Sequence, residues 1–476
     1  MLKRRKFYIG GNWVLPASSQ DFKVINPATE KPVAVISLGS ADDVDKAVEA
    51  AKKATIPFGA WSVSDRALLM ERIHTVYERR FEEMAQAIML EMGAPISFAR
   101  EEQAQSGLGH IQATLEALRS YRFDTPSPRG GSLITEQAVG VCALITPWNW
   151  PINQITSKVM PALAAGCTSI LKPSEMTPLS ALLFAEILDE AGVPAGVFNL
   201  VNGTGPDVGT HLAAHPDVNL ISFTGSTRAG ISVSRVAADT VKHVTLELGG
   251  KSPNIIFTDA DLQKAVPWSV QQCFGNTGQS CDAPTRLLVQ REIYDKAIEL
   301  AIMSAKTAAA GDPSTEGGHL GPVSNKTQFD RVQAAITAGI NEGARLIIGG
   351  TGRPHGFEQG YFVKPTIFAQ VSNDMKIAQE EIFGPVLVII PFDTENEAIE
   401  IANDTPYGLA AYLHTSDKER AKRVSAQLQA GHVSVNGHLQ DFDVPFGGFK
   451  QSGNGREYGV FGLRDFLEIK AITGIQ

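Results

Sequence analysis

The chain of 476 residues has only four cysteines, no long hydrophobic run and no excess of basic charge. Its cysteines, Cys142, Cys167, Cys273 and Cys281, show no C-x-x-C spacing and no neighbouring histidine pair. Neither a disulfide framework nor a metal site is therefore predicted. No stretch of about 18 apolar residues occurs, and this length argument predicts no membrane-spanning helix.

Acidic residues outnumber basic ones, 51 Asp and Glu against 42 Lys and Arg, for a formal net charge of -9. Nucleic-acid binding needs clustered positive charge, so a nucleic-acid partner is not expected. Residues 1–6 carry the basic charge of a signal peptide, but residues 7–12 interrupt any apolar core. We therefore expect no export, and free thiols fit a reducing cytoplasm.

The composition is that of a globular protein, and the length is sufficient for roughly three domains. Between residues 139 and 250, short apolar runs alternate with helical stretches, which indicates βαβ units and a parallel sheet with helices on both faces. The strands of this region are predicted at 139–145, 168–172, 197–201, 220–223 and 243–248. A second α/β region follows, from 252 to about 449, with strands predicted at 254–257, 286–290 and 387–390.

The region before residue 122 is predicted to hold short strands followed by helices. A capping-box variant at residues 40–43 begins one helix, and a second long helix is predicted from Ser64 to the Gly-Ala-Pro stop at 93–95. Residues 132–137 and 466–472 alternate like strands. Edge strands of this kind need a partner.

Two glycine-led turns follow predicted strands in the parallel region. The turn at 203–209, containing Gly205 and Gly209, has one residue too many for the G-x-G-x-x-G fingerprint. The turn at 223–230 opens a helix, so its backbone N–H groups could face a phosphate. An ordinary structural turn explains either pattern equally well.

Glu247 ends a strand-like run, and Cys281 lies 34 positions later in the glycine-containing segment Gly278-Gln279-Ser280-Cys281. A thiol attacks only as thiolate, with an unperturbed pKa of about 8.5, so a nearby base is useful. Glu247 is a candidate for that base, although a lone strand-end carboxylate is more often structural. Cys142 and Cys167 lie in apolar surroundings typical of core packing, whereas the sequence leaves the role of Cys273 open between core packing and function.

Six segments together resemble the NAD(P)-dependent aldehyde dehydrogenase superfamily, in the same order and at similar spacing. They cover nearly the whole chain: TPWNWP at 146–151, KPSE at 172–175, LELGGKSP at 246–253, GQSC at 278–281, EEIFGP at 380–385 and PFGGFKQSG at 445–453. The resemblance implies a variant Rossmann-type NAD-binding domain (1–121 and 139–250), an α/β catalytic domain (251–449) and a small β flap for oligomerisation (122–138 and 450–476). A homodimer or homotetramer is therefore expected.

The resemblance also implies a mechanism. Cys281 would add to the aldehyde, and the side chain of Asn149 with the Cys281 N–H would stabilise the oxyanion of the thiohemiacetal. Glu247 would activate the water that releases the acid from the thioester, and Lys158 would assist proton movement. Family members that transfer the acyl group to coenzyme A commonly lack this glutamate, so hydrolysis is favoured.

NAD is the implied cofactor. Lys172 and Glu175 would bind the adenosine ribose, Glu381 the nicotinamide ribose, and Phe383 would lie against the nicotinamide end. A carboxylate at position 175 should repel the phosphate of NADP, so NADP is expected to serve less well. The full implied set is Thr146, Pro147, Trp148, Lys172, Ser174, Glu175, Gly205, Gly209, Phe223, Thr224, Gly225, Ser226, Leu248, Gly249, Glu381 and Phe383.

Trp150, Asp282 and Phe446 are predicted to line a substrate tunnel for a small-molecule aldehyde. Arg286 is close to Cys281 in sequence, and a role for it in binding a substrate carboxylate stays open. Two other functions also stay open, a thiol hydrolase or esterase and an inactive binding relative. The hydrolase needs a histidine base, and none of the ten histidines lies in a segment that pairs with Cys281.

Overall fold

The computed structural model describes residues 1–18 and 20–474. The strands in chain order are β1 Leu2–Arg4, β2 Phe7–Ile9, β3 Asn12–Val14, β4 Asp21–Asn26, β5 Lys31–Ser37, β6 Asp124–Pro126, β7 Ser132–Ala138, β8 Val141–Ile145, β9 Thr168–Lys172, β10 Phe198–Leu200, β11 Leu220–Thr224, β12 His243–Glu247, β13 Pro253–Ile256, β14 Arg286–Gln290, β15 Arg345–Ile348, β16 Thr366–Ala369, β17 Val386–Phe392, β18 Ala410–His414, β19 His432–Val435, β20 Gly453–Asn454 and β21 Leu467–Thr473.

The α-helices are α1 Ala41–Gly59, α2 Val63–Arg79, α3 Phe81–Met92, α4 Ile96–Phe98, α5 Gln105–Ser120, α6 Pro151–Ala165, α7 Leu179–Glu190, α8 Thr210–Ala214, α9 Thr227–Ala237, α10 Leu262–Phe274, α11 Tyr294–Thr307, α12 Lys326–Asn341, α13 Lys376–Gln379, α14 Glu395–Asn403, α15 Lys418–Ser425 and α16 Gly459–Asp465. Two π-helical segments, Ala99–Ala104 and Gly205–Gly209, interrupt the α-helical pattern. Within the described residues, no helix is both long and apolar enough to cross a membrane.

The larger sheet has the strand order β20-β12-β11-β8-β9-β10-β2-β3. Its five central strands are parallel, as the alternation predicts, and antiparallel strands lie at both edges. Successive residues of β8 face opposite sides: Cys142 and Leu144 pack in one apolar cluster, Ala143 and Ile145 in another. The sheet is thus buried on both faces, which explains the continuous apolar run of this strand.

The second sheet has the order β15-β16-β17-β14-β13-β18-β19 and is parallel apart from β15. The chain passes from the first sheet to the second between Glu247, the last residue of β12, and Pro253, the first of β13. This short crossing brings the carboxyl end of β12 close to both sheets. The α/β fold class predicted from the sequence is confirmed.

Two small sheets have the orders β21-β7-β6 and β1-β5-β4. The strands predicted near residues 132–137 and 466–472 are present, and they pair antiparallel with each other from Leu467↔Ala138 to Thr473↔Ser132. The tail also contains elements absent from the prediction: β20 adds to the larger sheet beside β12, and α16 precedes β21.

The predicted single helix from Ser64 to Gly93 is wrong. The chain forms α2 and α3, which break at Arg80 with φ -102° and ψ 15°. The Arg80 guanidinium donates to Glu83 and to Glu186. Glu186 lies on α7, so this contact joins segments that are remote in sequence. After β10 the chain forms the π-helical segment Gly205–Gly209, which α8 follows directly.

Other local predictions are confirmed. Ser40 and Asp43 form a capping box at the start of α1, and Gly93 ends α3 with a left-handed φ of 83°. Cys142, Cys167 and Cys273 are fully buried in apolar clusters. Burial raises the pKa of the Cys273 thiol to about 12, which fits a core role for that residue.

Candidate functional site

Two cavities meet at Cys281. The first has a volume of 610 Å³ and lies at the carboxyl edge of the larger sheet, where open α/β sheets bind ligands. The residues from the predicted site that line it are Pro147, Trp148, Asn149, Thr224, Gly225, Ser226, Glu247, Leu248, Gly249, Cys281, Glu381 and Phe383.

The second cavity, of 930 Å³, reaches Cys281 from another direction. Trp150, Asp282 and Phe446, the three residues predicted for the substrate tunnel, all line it. Cys281 is the one residue that borders both cavities among the described residues. A molecule in either cavity can therefore reach the same thiol.

A strained loop carries Cys281. Asn276 and Thr277 have left-handed φ angles of 51° and 57°, and Gly278 follows with 71°. Such angles cost free energy in non-glycine residues and persist only where the surroundings hold them. The Asn276 amide donates to the Asn149 carbonyl at 2.9 Å, and the Thr277 hydroxyl donates to the Gly321 carbonyl at 3.0 Å.

Two buried glutamines complete this support. The Gln279 amide donates to the Asn276 carbonyl at 2.9 Å, and its oxygen accepts from the Ser324 N–H at 2.8 Å. The Gln103 amide donates to the Asn149 carbonyl at 3.1 Å. These bonds fix the thiol loop against the segment that carries Asn149.

Gly249 and Gly250 explain why the LELGGKSP segment needs adjacent glycines. A methyl group on Gly250 would lie 2.1 Å from the Cys281 carbonyl oxygen, and one on Gly249 would lie 2.5 Å from the Glu381 carboxylate. The absence of side chains at these glycines lets the LELGGKSP, GQSC and EEIFGP segments approach one another closely. The Gly250 N–H donates to Glu381 at 3.0 Å.

Asn149 lies between β8 and α6, and Pro151 begins the helix at a position where its missing N–H costs nothing. The Asn149 amide nitrogen donates to the Gln279 carbonyl at 3.0 Å. An amide nitrogen has two N–H bonds, so the second is available to an oxygen atom formed beside Cys281.

The thiol of Cys281 is held in its neutral form. Burial raises its pKa well above the ordinary value, and the carboxyl groups of Asp282, Glu381 and Glu247 raise it further, while the residue's own N–H opposes the shift. Attack by this thiol therefore requires a base or a bound cationic group.

Glu247 is 4% exposed, and neither carboxyl oxygen has a hydrogen-bond partner among the described residues. Burial raises its pKa well above the usual range, and Glu457 raises it further, while Lys158 and Arg456 lower it. An unpartnered buried carboxyl group facing a cavity is costly for stability, which points to function.

Lys158 does not line either cavity. It is buried in α6 and forms an ion pair with Glu457. The pair lies close enough to affect the pKa of Glu247. Lys158 can therefore act on the site only through its neighbours.

The remaining residues predicted for the cofactor, Thr146, Lys172, Ser174, Glu175, Gly205, Gly209 and Phe223, do not line the first cavity. Lys172 and Glu175 lie at the end of β9 with their charged atoms 3.4 Å apart, and the Thr146 N–H donates to the Lys172 carbonyl at 3.1 Å. Gly209 neighbours Lys172: a methyl there would lie 4.0 Å from Lys172 Cδ. These groups thus continue the same sheet edge beyond the cavity.

A dinucleotide fits these residues. The Thr224 hydroxyl at the end of β11 is buried and has no hydrogen-bond partner among the described residues. Next to it, Ser226 caps α9, whose first-turn N–H groups suit a phosphate.

Burial raises the pKa of the Glu381 carboxyl group to about 7, while the Gly250 N–H and Lys251 act to lower that pKa.

Phe383 adopts a left-handed φ of 59°. The Gln328 amide holds this turn by donating to the Ile382 and Phe383 carbonyls at 2.9 and 2.8 Å. The Phe383 ring packs edge-on against Trp148, with centroids 5.4 Å apart. This aromatic pair forms part of the wall of the first cavity.

On the substrate side, the Trp150 indole donates to the Ser280 hydroxyl at 2.8 Å. Phe446 stacks on Tyr458 with centroids 5.0 Å apart, and the Tyr412 hydroxyl donates to the Asp282 carbonyl at 3.0 Å. These contacts make the wall around Cys281 aromatic and rigid.

Arg286 is fully buried and does not line the second cavity. Its guanidinium donates to the carbonyls of Lys251, Ile401 and Ala402 at 3.0, 2.8 and 2.8 Å. The possibility that Arg286 binds a substrate carboxylate is therefore excluded.

Several residues of the site were absent from the sequence prediction. Glu457, Gln103 and Gln328 act through partners more than 45 positions away. The sequence does offer one cue for Glu457, since it lies just beyond the PFGGFKQSG segment. Helix α12 also supplies Arg331 to the first cavity.

Comparison with known proteins identifies the family. Residues 13–472 match the model of the aldehyde dehydrogenase family. The chain is 53% identical to a 3-succinoylsemialdehyde-pyridine dehydrogenase of a Pseudomonas species, over 99% of both chains.

Solved structures agree closely. An aldehyde dehydrogenase from Bartonella henselae is 51% identical, with a TM-score of 0.99 over 100% of both chains. Aldehyde dehydrogenase C of Pseudomonas syringae, a cysteine-to-alanine variant in complex with NAD+ and octanal, is 53% identical, with a TM-score of 0.98 over 99% of this chain and 96% of its own. The chain therefore belongs to the aldehyde dehydrogenase family.

Proposed function

We propose that this chain oxidises an aldehyde to a carboxylic acid with NAD, through a covalent intermediate on Cys281 that Glu247 hydrolyses. The observation that carries the proposal is the position of Cys281 where the two cavities meet, with Asn149 and Glu247 beside it. The octanal and NAD+ bound by the 53% identical structural relative support the same assignment.

Cys281 adds through its sulfur to the aldehyde carbon, and the thiol proton passes to a base. Glu247 is the candidate base because it lines the same cavity and has no other partner among the described residues. The new oxyanion accepts hydrogen bonds from the free N–H of Asn149 and from the Cys281 N–H. In a site shielded from water, these two donors stabilise the developing charge.

NAD, when bound, supplies the acceptor for the hydride that leaves the substrate carbon. Thr224 and Ser226 would hold its phosphates, Glu381 and Phe383 its nicotinamide end, and Lys172 and Glu175 the adenosine ribose. Cys281 then holds the acyl group as a thioester. Glu247, after releasing the thiol proton to solvent, removes a proton from water as the water attacks this acyl carbon, and Cys281 leaves as thiolate.

The same geometry argues against a thiol hydrolase. His319 is the one histidine among the described residues lining either cavity, and its Nε2 lies 2.8 Å from the Asp312 carbonyl. Nε2 therefore donates its proton and is not the base, and no hydrogen bond joins Nδ1 to Cys281 among the described residues. Glu247 is the better-placed base.

We further infer the domain arrangement and assembly predicted from the sequence: NAD binding by 1–121 and 139–250, catalysis by 251–449, and oligomerisation through 122–138 and 450–476. The exposed sheet β21-β7-β6 supports a homodimer or homotetramer, because an edge strand needs a partner. A cytoplasmic location is part of the same proposal and rests on the free thiols.

The function is tested by following NADH absorbance with octanal. NAD should support a higher kcat/KM than NADP, and Glu175→Gln should raise the relative use of NADP by about five- to tenfold, because it removes a like charge facing the phosphate. It also frees Lys172, now 3.4 Å from Glu175, to bind that phosphate.

Glu358→Gln is the matched control, because Glu358 is exposed and lines neither cavity. A wild-type preference for NADP, or the same cofactor ratio in Glu175→Gln and Glu358→Gln, would overturn the ribose assignment. Absence of NADH with octanal and a range of other aldehydes would overturn the function itself.

The pH dependence of kcat should follow Glu247. This residue works as a base only when ionised, and its raised pKa means that activity is lost as pH falls through that pKa and gained above it. Glu457→Gln removes a like charge and frees Lys158, which lowers the pKa of Glu247. The acidic limb of the kcat–pH profile should therefore move to lower pH. Lys158→Met should move it to higher pH, and an unchanged limb in both variants would contradict this coupling.

A further inference from the structure

The substrate-side cavity contains acidic side chains but no lysine or arginine among the described residues that line it. Its carboxyl groups come from Glu101, Glu102 and Asp282, and its other titratable groups are His319, Tyr412, Tyr458 and the Cys281 thiol. An aldehyde with a carboxylate would meet no counterion in this cavity.

Arginines near the cavity are bound elsewhere. Arg286 is surrounded by backbone carbonyls. Arg100, the neighbour of Glu101, donates to Glu82 at 2.7 and 2.8 Å and also binds Glu316. Neither guanidinium is free to offset the cavity's negative charge.

The π-helical segment Ala99–Ala104 places both glutamates on the wall. π-helical turns of this kind are rare and often occur at functional sites. Glu101 and Glu102 are exposed, and neither forms an ion pair within the described part of the chain. Partial desolvation and the charge of the adjacent Glu101 raise the pKa of Glu102.

The rest of the wall suits an uncharged molecule. Phe98, Trp150, Phe442 and Phe446 supply aromatic surface. Gln154, which is 6% exposed, has a carboxamide oxygen without a hydrogen-bond partner among the described residues. This buried acceptor, one turn along α6 from Trp150, points to a ligand in the cavity rather than to a purely structural wall.

We propose that this cavity selects uncharged or cationic aldehydes and rejects aldehydes that carry a carboxylate, with Glu101 and Glu102 as specificity-determining residues. A carboxylate would lose water without gaining a cation and would be repelled by both glutamates. A cation gains from the same charges and from the aromatic faces. The inference rests on the proposed aldehyde oxidation.

The test compares three aldehydes with eight-carbon chains: octanal, 8-oxooctanoate and 8-(trimethylammonio)octanal. Their charged groups are remote from the aldehyde carbon, so its intrinsic reactivity is the same. We expect kcat/KM for 8-oxooctanoate to be at least about 30-fold below that for octanal at low salt, and the cationic aldehyde to equal or exceed octanal. Equal values for octanal and 8-oxooctanoate would overturn the proposal.

The double variant Glu101→Gln/Glu102→Gln should raise the kcat/KM for 8-oxooctanoate relative to that for octanal by about 5- to 30-fold. It should lower the kcat/KM for the cationic aldehyde relative to that for octanal. Glu358→Gln, which removes the same charge elsewhere, should leave both ratios at their wild-type values. Ratios in the double variant equal to those of the control would overturn the role of the two glutamates.

Salt provides a second measurement that needs no variant. Raising ionic strength screens exposed charges, so the wild-type discrimination against 8-oxooctanoate should shrink markedly between low salt and about 0.5 M. A ratio independent of salt would overturn the electrostatic origin. Failure of the proposed function is distinguishable, because no NADH would then form with octanal either.

Discussion

Replacing Cys281 with serine is expected to lower kcat/KM for aldehyde oxidation by about three to six orders of magnitude. A serine hydroxyl ionises far less readily than a thiol, and His319, the one histidine among the described residues lining either cavity, has its Nε2 engaged by the Asp312 carbonyl and no hydrogen bond to position 281. The thiol's raised pKa shows that even the native nucleophile depends on its neighbours for activation. The measurement is the NADH rate at saturating NAD.

Cys142→Ala and Cys167→Ala are the controls for this loss. Both side chains are fully buried in the core of the larger sheet, so their removal should cost about 1–2 kcal/mol of unfolding free energy. Activity per folded molecule should be retained. Near wild-type turnover in Cys281→Ser would remove this residue from the chemistry.

Replacing Glu247 with glutamine should lower steady-state kcat by about 10²- to 10⁴-fold, the usual contribution of a general base. Glutamine keeps the shape of the side chain and removes its ability to accept a proton. Because the Glu247 carboxyl group has no hydrogen-bond partner among the described residues, the change breaks no internal hydrogen bond. Unfolding by urea should therefore be little affected, and unimpaired turnover would contradict the assignment.

The central sheet could be predicted because its strands are buried on both faces. Thr168–Lys172 and Arg286–Gln290 lie where the apolar runs place them. The segments containing Asn149, Glu247 and Cys281 were recognisable through the resemblance of their motifs to one family, because taken alone Glu247 and Asn149 are more often structural. The structure brings these three side chains to one cavity.

The parts that could not be predicted depend on contacts between distant segments. The apolar helical pattern continues across Arg80, where no glycine or proline marks the break between α2 and α3. Glu457 joins the site only because the tail returns to pair with Lys158 on α6. Arg286 looked available to a substrate from its position in the chain, yet three carbonyls enclose it.

The central claim is that Glu247 acts mainly after an acyl group has formed on Cys281. It is tested most directly by stopped-flow mixing of Glu247→Gln with saturating octanal and NAD, followed by acid quenching and mass measurement of the protein. We predict a burst of up to one NADH per active site, very slow turnover afterwards, and the acyl mass on Cys281. A burst slower than that of the wild type fits the additional role of Glu247 as base for the thiol. A variant that gives no burst and no acyl adduct would contradict this order and make Glu247 essential for the attack by the thiol.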